Sequence, residues 1–343
     1  MVKGPSVAKL IESEDALIDQ MTTPSEAVIA AVSELSGDVM ILGIAGKMGP
    51  TLGELLVKAG ARDVIGVSRF SNSADREDLE GRGIRTVKCD LMDEAGLAEL
   101  PEASHIFLMV GFKFGTTGNE SMTWAMNTMM PARVMERFPR SQIVYVSSGN
   151  VYRFVPVTGQ GASESDPIDP IGEYAQSRLG GERLAQHYSK KNGTPLAIVR
   201  LFYATELRYG IILDIAQKVW NKFPIDLAMG SVNQIWQGDA NAYLTRSFPL
   251  CESPAYVINM TGKDVLSVRE LAQKLGVLMG VEPILEGTAS KTALLGDSRT
   301  LFERLGEPAV LPDTMVEWVA HWVMKEGRTL GKPTKYESRT GEF

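Results

Sequence analysis

Residues 39–60 read VMILGIAGKMGPTLGELLVKAG: a short apolar run meets Gly43, two more glycines follow at 46 and 49, and an amphipathic helical pattern comes next. The apolar run suits a buried strand. Glycines at this spacing allow a tight turn, close approach of backbone to a pyrophosphate, and close helix–strand packing. The helix start then turns its unpaired N–H groups toward the anion. Lys47 invites comparison with a P-loop, but that motif needs Ser or Thr after the lysine, and Met48 stands there. The bend from Gly43 through Gly46, Lys47 and Met48 to Gly49 is therefore expected to cradle a dinucleotide.

The strand–helix rhythm repeats along the chain. Further β-rich runs are DVIGVS (63–68), RTVKC (85–89), HIFLMV (105–110), QIVYVS (142–147), PLAIVR (195–200) and AYVINM (255–260), several of them apolar on both faces. Helical patterns lie between them, at 51–58, 121–138 and 174–190. This alternation predicts an α/β fold, a doubly wound parallel sheet of Rossmann type. Residues 1–37 read as a helical extension, in which Thr23-Pro24-Ser25-Glu26 predicts a helix capped by Thr23. The dinucleotide-binding domain is expected over 38–203, with 238–262 returning to it. Segments 204–237 and 263–329, with helices at 207–223, 268–280 and 314–327, form a smaller C-terminal substrate lobe. Residues 330–343 read as a loosely held polar tail.

Composition narrows the functional classes. Lys and Arg number 35 against 42 Asp and Glu, a net charge of -7, with no basic run of five. That opposes a nucleic-acid partner. No apolar run approaches the ~18 residues of a membrane span. The two cysteines, Cys89 and Cys251, suit reduced thiols, so a cytoplasmic location is expected. His105, His187 and His321 lack ligand spacing, and no metal is expected.

The second strand ends Val67-Ser68-Arg69-Phe70-Ser71, without the acidic residue that binds a ribose 2′-hydroxyl. Arg69, with Ser68, suits a 2′-phosphate instead, which favours NADP, with NAD as the alternative. After the third strand, an aspartate can accept from an adenine amino group or cap the next helix, and both roles can hold at once because Asp90 and Asp93 are separate residues. The fifth strand ends Ser147-Ser148, and Tyr174 and Arg178 stand four apart in a helical stretch. Residues four apart share a face, and a cation beside a phenol lowers its pKa from ~10 toward working pH. Such a tyrosine is a proton shuttle, and a strand-terminal serine can hold the substrate oxygen.

Taken together, over residues 39–325, these segments resemble the extended short-chain dehydrogenase/reductase family, in its NAD(P)-dependent epimerase/dehydratase branch. The matching pieces are Gly43-x-x-Gly46-x-x-Gly49, Asp90-Leu91, the VSSGNVY segment ending at Tyr152, Tyr174 followed by Gly180-Gly181-Glu182, Val199-Arg200-Leu201-Phe202, and the segment around Asp239. The resemblance implies that Tyr174 is the acid/base and that Ser148 orients the reacting hydroxyl. It places Gly43, Gly46, Gly49, Ser68, Arg69, Asp90, Leu91, Val110, Gly111 and Phe202 along the cofactor, with Lys47, Met48, Ser147, Tyr174 and Arg178 beside it. Ser148, Gly149, Asn150 and Tyr203 are expected at the substrate, and a homodimer through the Ser121 and Tyr174 helices is implied.

Two positions depart from the family pattern. Arg178 stands where lysine is usual; it keeps the charge but cannot relay a proton. Tyr203 replaces the asparagine of many nucleotide-sugar members, which turns the expectation toward a free sugar, sugar acid or other polyol. The expected activity is hydride transfer at a hydroxyl-bearing carbon, as a dehydrogenase or an epimerase. The alternative is a dinucleotide-binding regulator with little turnover, which the Tyr174–Arg178 pair permits.

Overall fold

In a computed structural model, which describes residues 9–113 and 115–342, seven short apolar segments satisfy their backbone groups by pairing with one another. They are β1 (Val39–Leu42), β2 (Val64–Ser68), β3 (Arg85–Lys88), β4 (His105–Leu108), β5 (Gln142–Ser148), β6 (Leu196–Leu201) and β7 (Tyr256–Met260). The order is β7-β6-β5-β4-β1-β2-β3, and every pairing is parallel. All seven runs expected from the sequence are these strands, with ends shifted by no more than two residues. β1 and β4 are buried along their whole length because helices cover both sheet faces. The order reverses direction between β1 and β4, so their carboxyl ends open a crevice, the usual ligand position in such sheets.

The extension ahead of the sheet forms two helices, α1 (Glu14–Thr22) and α2 (Glu26–Ser33). The cap of the second is Ser25, whose Oγ accepts from the Val28 N–H at 3.4 Å, and not Thr23 as the sequence suggested. Thr23 remains tied to α1, since both its N–H and its hydroxyl bond to the Asp19 carbonyl, at 2.9 and 2.8 Å. Leu17 and Met21 of α1 are buried, as are Val28 and Val32 of α2. After the glycine bend comes α3 (Gly49–Lys58).

The stretch expected as one helix at 121–138 is a rod in three parts: Glu120–Trp124, a π-helical turn over Ala125–Met129, and Met130–Arg137. The expected 174–190 helix extends over Gly172–Asn192. In the C-terminal part, the helices Ile211–Trp220, Val268–Met279 and Pro312–Met324 contribute to one apolar core. The first starts four residues later than its sequence pattern, because Ala204–Thr205 pairs as a short strand with Ile235–Trp236 and Gly210 (φ 142) makes the turn.

The polar tail is not loosely held. Thr334 and Tyr336 are buried, and Thr334 donates both its N–H and its hydroxyl to Asp214 Oδ2, at 2.8 and 2.6 Å. One buried aromatic ring outweighs the polar composition that surrounds it. Among the described residues no helix is long and apolar enough to cross a membrane.

Candidate active site

Two adjoining hollows lie at the carboxyl ends of the strands. The outer one, of about 950 Å³, is lined by Gly43, Gly46, Ser68, Arg69, Asp90, Leu91, Val110 and Gly111, among others. The inner one, of about 750 Å³, collects Lys47, Met48, Ser147, Ser148, Asn150, Tyr174, Arg178, Phe202 and Tyr203. Met109 and Gly111 line both, so trough and cleft are continuous.

The glycine bend is built for a close backbone approach. Gly43 has φ 92, and a Cβ there would meet Val110 Cγ2 at 2.8 Å. Its N–H and that of Ile44 bond to the Val67 carbonyl, which ties the bend to β2. Gly49 serves packing: a Cβ would lie 2.6 Å from the Ile44 Cα. Met48 at the α3 N-cap makes no side-chain hydrogen bond to the helix, so the first N–H groups keep their capacity for an anion. The glycines keep the bend tight against Val110 and Ile44, and the uncapped N–H groups at the start of α3 fit a pyrophosphate.

At the outer end Arg69 is exposed beside Ser68, and Lys332 from the C-terminal segment lines the same trough. Of the two sequence readings of the aspartates after β3, the helix cap falls to Asp93. Asp93 caps the Glu94–Ala98 helix, accepting from Ala95 N–H at 3.2 Å, while Asp90 accepts from Met92 N–H at 3.0 Å and lines the trough.

In the cleft, adjacent serines face opposite ways. Ser147 Oγ donates to the Glu182 carboxylate at 2.6 Å, in the interior. Ser148 caps the Gly149–Val151 turn, and its Oγ donates to Asn150 Oδ1 at 3.0 Å. Gly149 makes room for Phe202, whose ring atoms would stand 2.5 Å from a Cβ there. Tyr174 is 9% exposed, and Arg178, one turn on, is buried. The Arg178 guanidinium lies 5.2 Å from the centre of the Tyr145 ring and donates to the Val146 carbonyl and, at 3.1 Å, to the Val110 carbonyl. It clamps the ends of β4 and β5 together as part of the cleft wall. Burial pushes the Tyr145 phenol up to about 12, and drives Tyr203 and Tyr209 higher still, so all three stay protonated near neutral pH.

Three contributors escaped the sequence reading. Lys113 follows β4 on the loop; its Nζ stands 5.9 Å from the Tyr174 ring centre and 5.6 Å from that of Tyr203. Burial lowers this ammonium to about 8, against the pull of Asp214. Tyr209 receives Lys47, whose Nζ lies 3.9 Å from the ring centre and 2.5 Å from the Ala204 carbonyl. Burial takes Lys47 down to about 7, with Glu206 opposing. Asn127, in the π-helical turn, accepts from Phe112 N–H at 2.8 Å and donates to the Phe112 carbonyl at 2.9 Å and Ser177 Oγ at 3.0 Å, holding that loop in place. The loop that follows β4 was the available signal for Lys113, five residues beyond the strand end; nothing in the sequence marks the π turn.

Residues 39–205 match the model of the NAD dependent epimerase/dehydratase family. No curated protein matches the chain. Among solved structures, it is similar to the UDP-glucuronic acid 4-epimerase from Bacillus cereus in complex with NAD, at TM-score 0.71 and 17% identity over 84% of this chain and 99% of that one. It also resembles dTDP-glucose 4,6-dehydratase (DesIV) from Streptomyces venezuelae, with NAD and TYD bound, at 0.71 and 17% over 84% and 97%. A UDP-galactose 4-epimerase gives 0.67 and 22% over 84% and 99%. At these identities the likeness is one of fold.

Proposed function

We propose, from the match of residues 39–205 to the NAD dependent epimerase/dehydratase family, that the protein is a nicotinamide-dependent oxidoreductase or epimerase, acting at a hydroxyl-bearing carbon of a sugar, sugar acid or related polyol. The observation that carries this reading is the continuity of the glycine trough with the Tyr174–Ser148 cleft through Met109 and Gly111. A nicotinamide cofactor bound along the trough supplies the hydride donor or acceptor. The chain supplies the rest. Tyr174 takes or returns the hydroxyl proton, Ser148 holds that oxygen, and Arg178 lends positive charge to the tyrosinate from its clamp on Val110 and Val146. Ser147 supports the same strand end through Glu182 rather than touching the cofactor with its hydroxyl. Arg69 and Lys332, two exposed cations lining the outer trough, favour NADP over NAD.

The test has two arms. Titration with NADP and NAD, followed by the thermal midpoint, should show binding of both and a preference for NADP that Arg69→Ala removes. Tyr174→Phe should bind dinucleotide like the parent while turnover falls roughly 10²–10⁴-fold, the usual worth of a positioned acid/base. Turnover that survives the phenylalanine ends the proton-shuttle role.

A second reading is a dinucleotide-binding regulator with little turnover. The fixed position of Arg178, with a guanidinium bonded to two backbone carbonyls, favours it. Dinucleotide binding without turnover on any polyol would select it.

A further inference from the structure

The glycine bend passes from one hollow to the other within a single peptide. Gly46 lines the outer trough, and the next residue, Lys47, lines the inner cleft. The bend itself is fixed, since the N–H groups of Gly43 and Ile44 bond to the Val67 carbonyl and that of Gly46 to the Gly43 carbonyl at 3.0 Å. From it the Lys47 side chain reaches the start of the C-terminal lobe. Its Nζ donates to the Ala204 carbonyl at 2.5 Å and lies 3.9 Å from the centre of the Tyr209 ring. Those two partners belong to the turn that leads into the Ile211–Trp220 helix. Ala204–Thr205 pairs with Ile235–Trp236, and Glu206 and Tyr209 exchange backbone hydrogen bonds at 2.8 and 3.2 Å. A carbonyl and an aromatic face hold an ammonium far better than a neutral amine, because both attract its charge. The contact therefore depends on the proton that Lys47 carries.

We propose that Lys47 is a positioning residue joining the two hollows, through which a dinucleotide seated on the glycine bend fixes the 204–210 turn that walls the substrate cleft. The proposal rests on the dinucleotide-binding role given to the trough under the proposed function. Burial brings the Lys47 ammonium down to about 7, so near neutral pH this latch is only partly charged. Glu206 pulls the proton on, while Lys113, from the loop after β4, pushes it off. Glu206 shares its charge with Arg208, whose backbone N–H and Nε donate to it at 2.7 and 3.0 Å, and Arg208 reaches Glu14 of α1 at 3.2 Å. Burial holds the phenols of Tyr203 and Tyr209 neutral, and Tyr174 and Arg178 complete the titratable lining of the cleft. The negative charge of a pyrophosphate on the bend acts in the same sense as Glu206 and favours the ammonium. Such coupling is reciprocal, so whatever tightens the latch also tightens the hold on the anion.

The experiment uses the full chain with NAD, which has no 2′-phosphate to titrate, or with NADP should that alone bind. Calorimetry gives the affinity from pH 6 to pH 9, and backbone hydrogen exchange follows residues 203–210 with and without the dinucleotide. At pH 6 Lys47 is charged before the dinucleotide arrives, so affinity is highest there and the turn is already protected. Affinity should fall roughly tenfold by pH 9, the equivalent of one unit of proton linkage. At pH 7.5 the dinucleotide should slow exchange across 203–210, an effect that shrinks at pH 6. Lys47→Met keeps the stem and removes the charge; it should lose most of the pH dependence and leave exchange in the turn unmoved by dinucleotide. An affinity that falls as steeply in the variant as in the parent overturns the proposal, as does protection of the turn that survives the substitution. Should the variant fail to fold, a flat affinity profile in the parent, or a turn indifferent to dinucleotide at pH 7.5, overturns it equally. If neither NAD nor NADP binds, the trough reading fails instead, and calorimetry shows this before any exchange is measured.

Discussion

Adjacent serines at the end of β5 divide two tasks between them. Side chains alternate along a strand, so Ser147 and Ser148 had to face opposite ways, but the sequence did not say which faced the cleft. The deciding residue is Glu182, fully buried and ion-paired with Arg200 at 2.7 Å. Ser147 donates to that carboxylate; Arg200 donates to the Tyr152 hydroxyl at 2.7 Å, which donates in turn to Asn259 at 2.8 Å. The VSSGNVY segment is thus pinned from below by a buried polar network. Glu182→Ala leaves the Arg200 charge without its partner, and urea unfolding should show a loss of about 3–5 kcal/mol. The serines separate more finely. Ser147→Ala should cost about 1–3 kcal/mol of stability while leaving most of kcat, whereas Ser148→Ala should lower kcat/KM with little change in unfolding. The reverse pattern would exchange their roles.

Elements were legible where burial alone determines them. Seven apolar runs became seven parallel strands, because a segment buried on both faces reads the same in sequence and structure. The glycine bend was legible for a related reason: close approach there excludes any side chain, as at Gly43 and Gly49. What could not be read depends on contacts between elements distant in sequence. The π-helical turn at Ala125–Met129 places Asn127 against Phe112 and Ser177, and no periodicity encodes such a turn. Lys113 acquires its place only when the loop it belongs to is fixed in this way. Gly181 belongs to the same junction, since a Cβ there would lie 2.1 Å from the Asn127 carbonyl oxygen and 2.6 Å from the Tyr145 hydroxyl. Gly181→Ala must push the Gly172–Asn192 helix off the π turn. We expect a loss of about 1–3 kcal/mol in unfolding, together with weaker dinucleotide binding as the Phe112 loop loses its support. A variant that folds and binds like the parent would show the junction to be slack.

Across the whole molecule, the C-terminal segment links parts that the sequence kept separate. Composition alone made residues 330–343 a tail, yet Lys332 lines the dinucleotide trough and Tyr336 is 1% exposed. Lys218 pairs with Glu337, and Arg339 donates to the Thr292 carbonyl and hydroxyl, each at 2.8 Å. The segment therefore runs from the cofactor side across the C-terminal helices to the wall that holds Asn150 and Tyr203, which Ser338 and Gly341 also line. Ending the chain after Gly331 removes the Tyr336 ring from the core and leaves Asp214 without its two Thr334 donors. Deleting a buried aromatic side chain alone costs about 3–5 kcal/mol, so the shortened chain should unfold at clearly lower urea. Asp214 is a carboxylate already raised by burial, and Thr334 holds it down. Thr334→Val in the full chain removes the hydroxyl bond while keeping Glu337 and the burial, so the folded pKa of Asp214 rises further above the unfolded value and the penalty it carries when ionised grows. The deficit of Thr334→Val should therefore widen as pH climbs from the unfolded carboxylate range toward neutrality and shrink below it. Unfolding of the parent, Thr334→Val and the shortened chain at pH 4 and pH 7 checks this. A shortened chain as stable as the parent at both would return the segment to the loose tail its composition suggested.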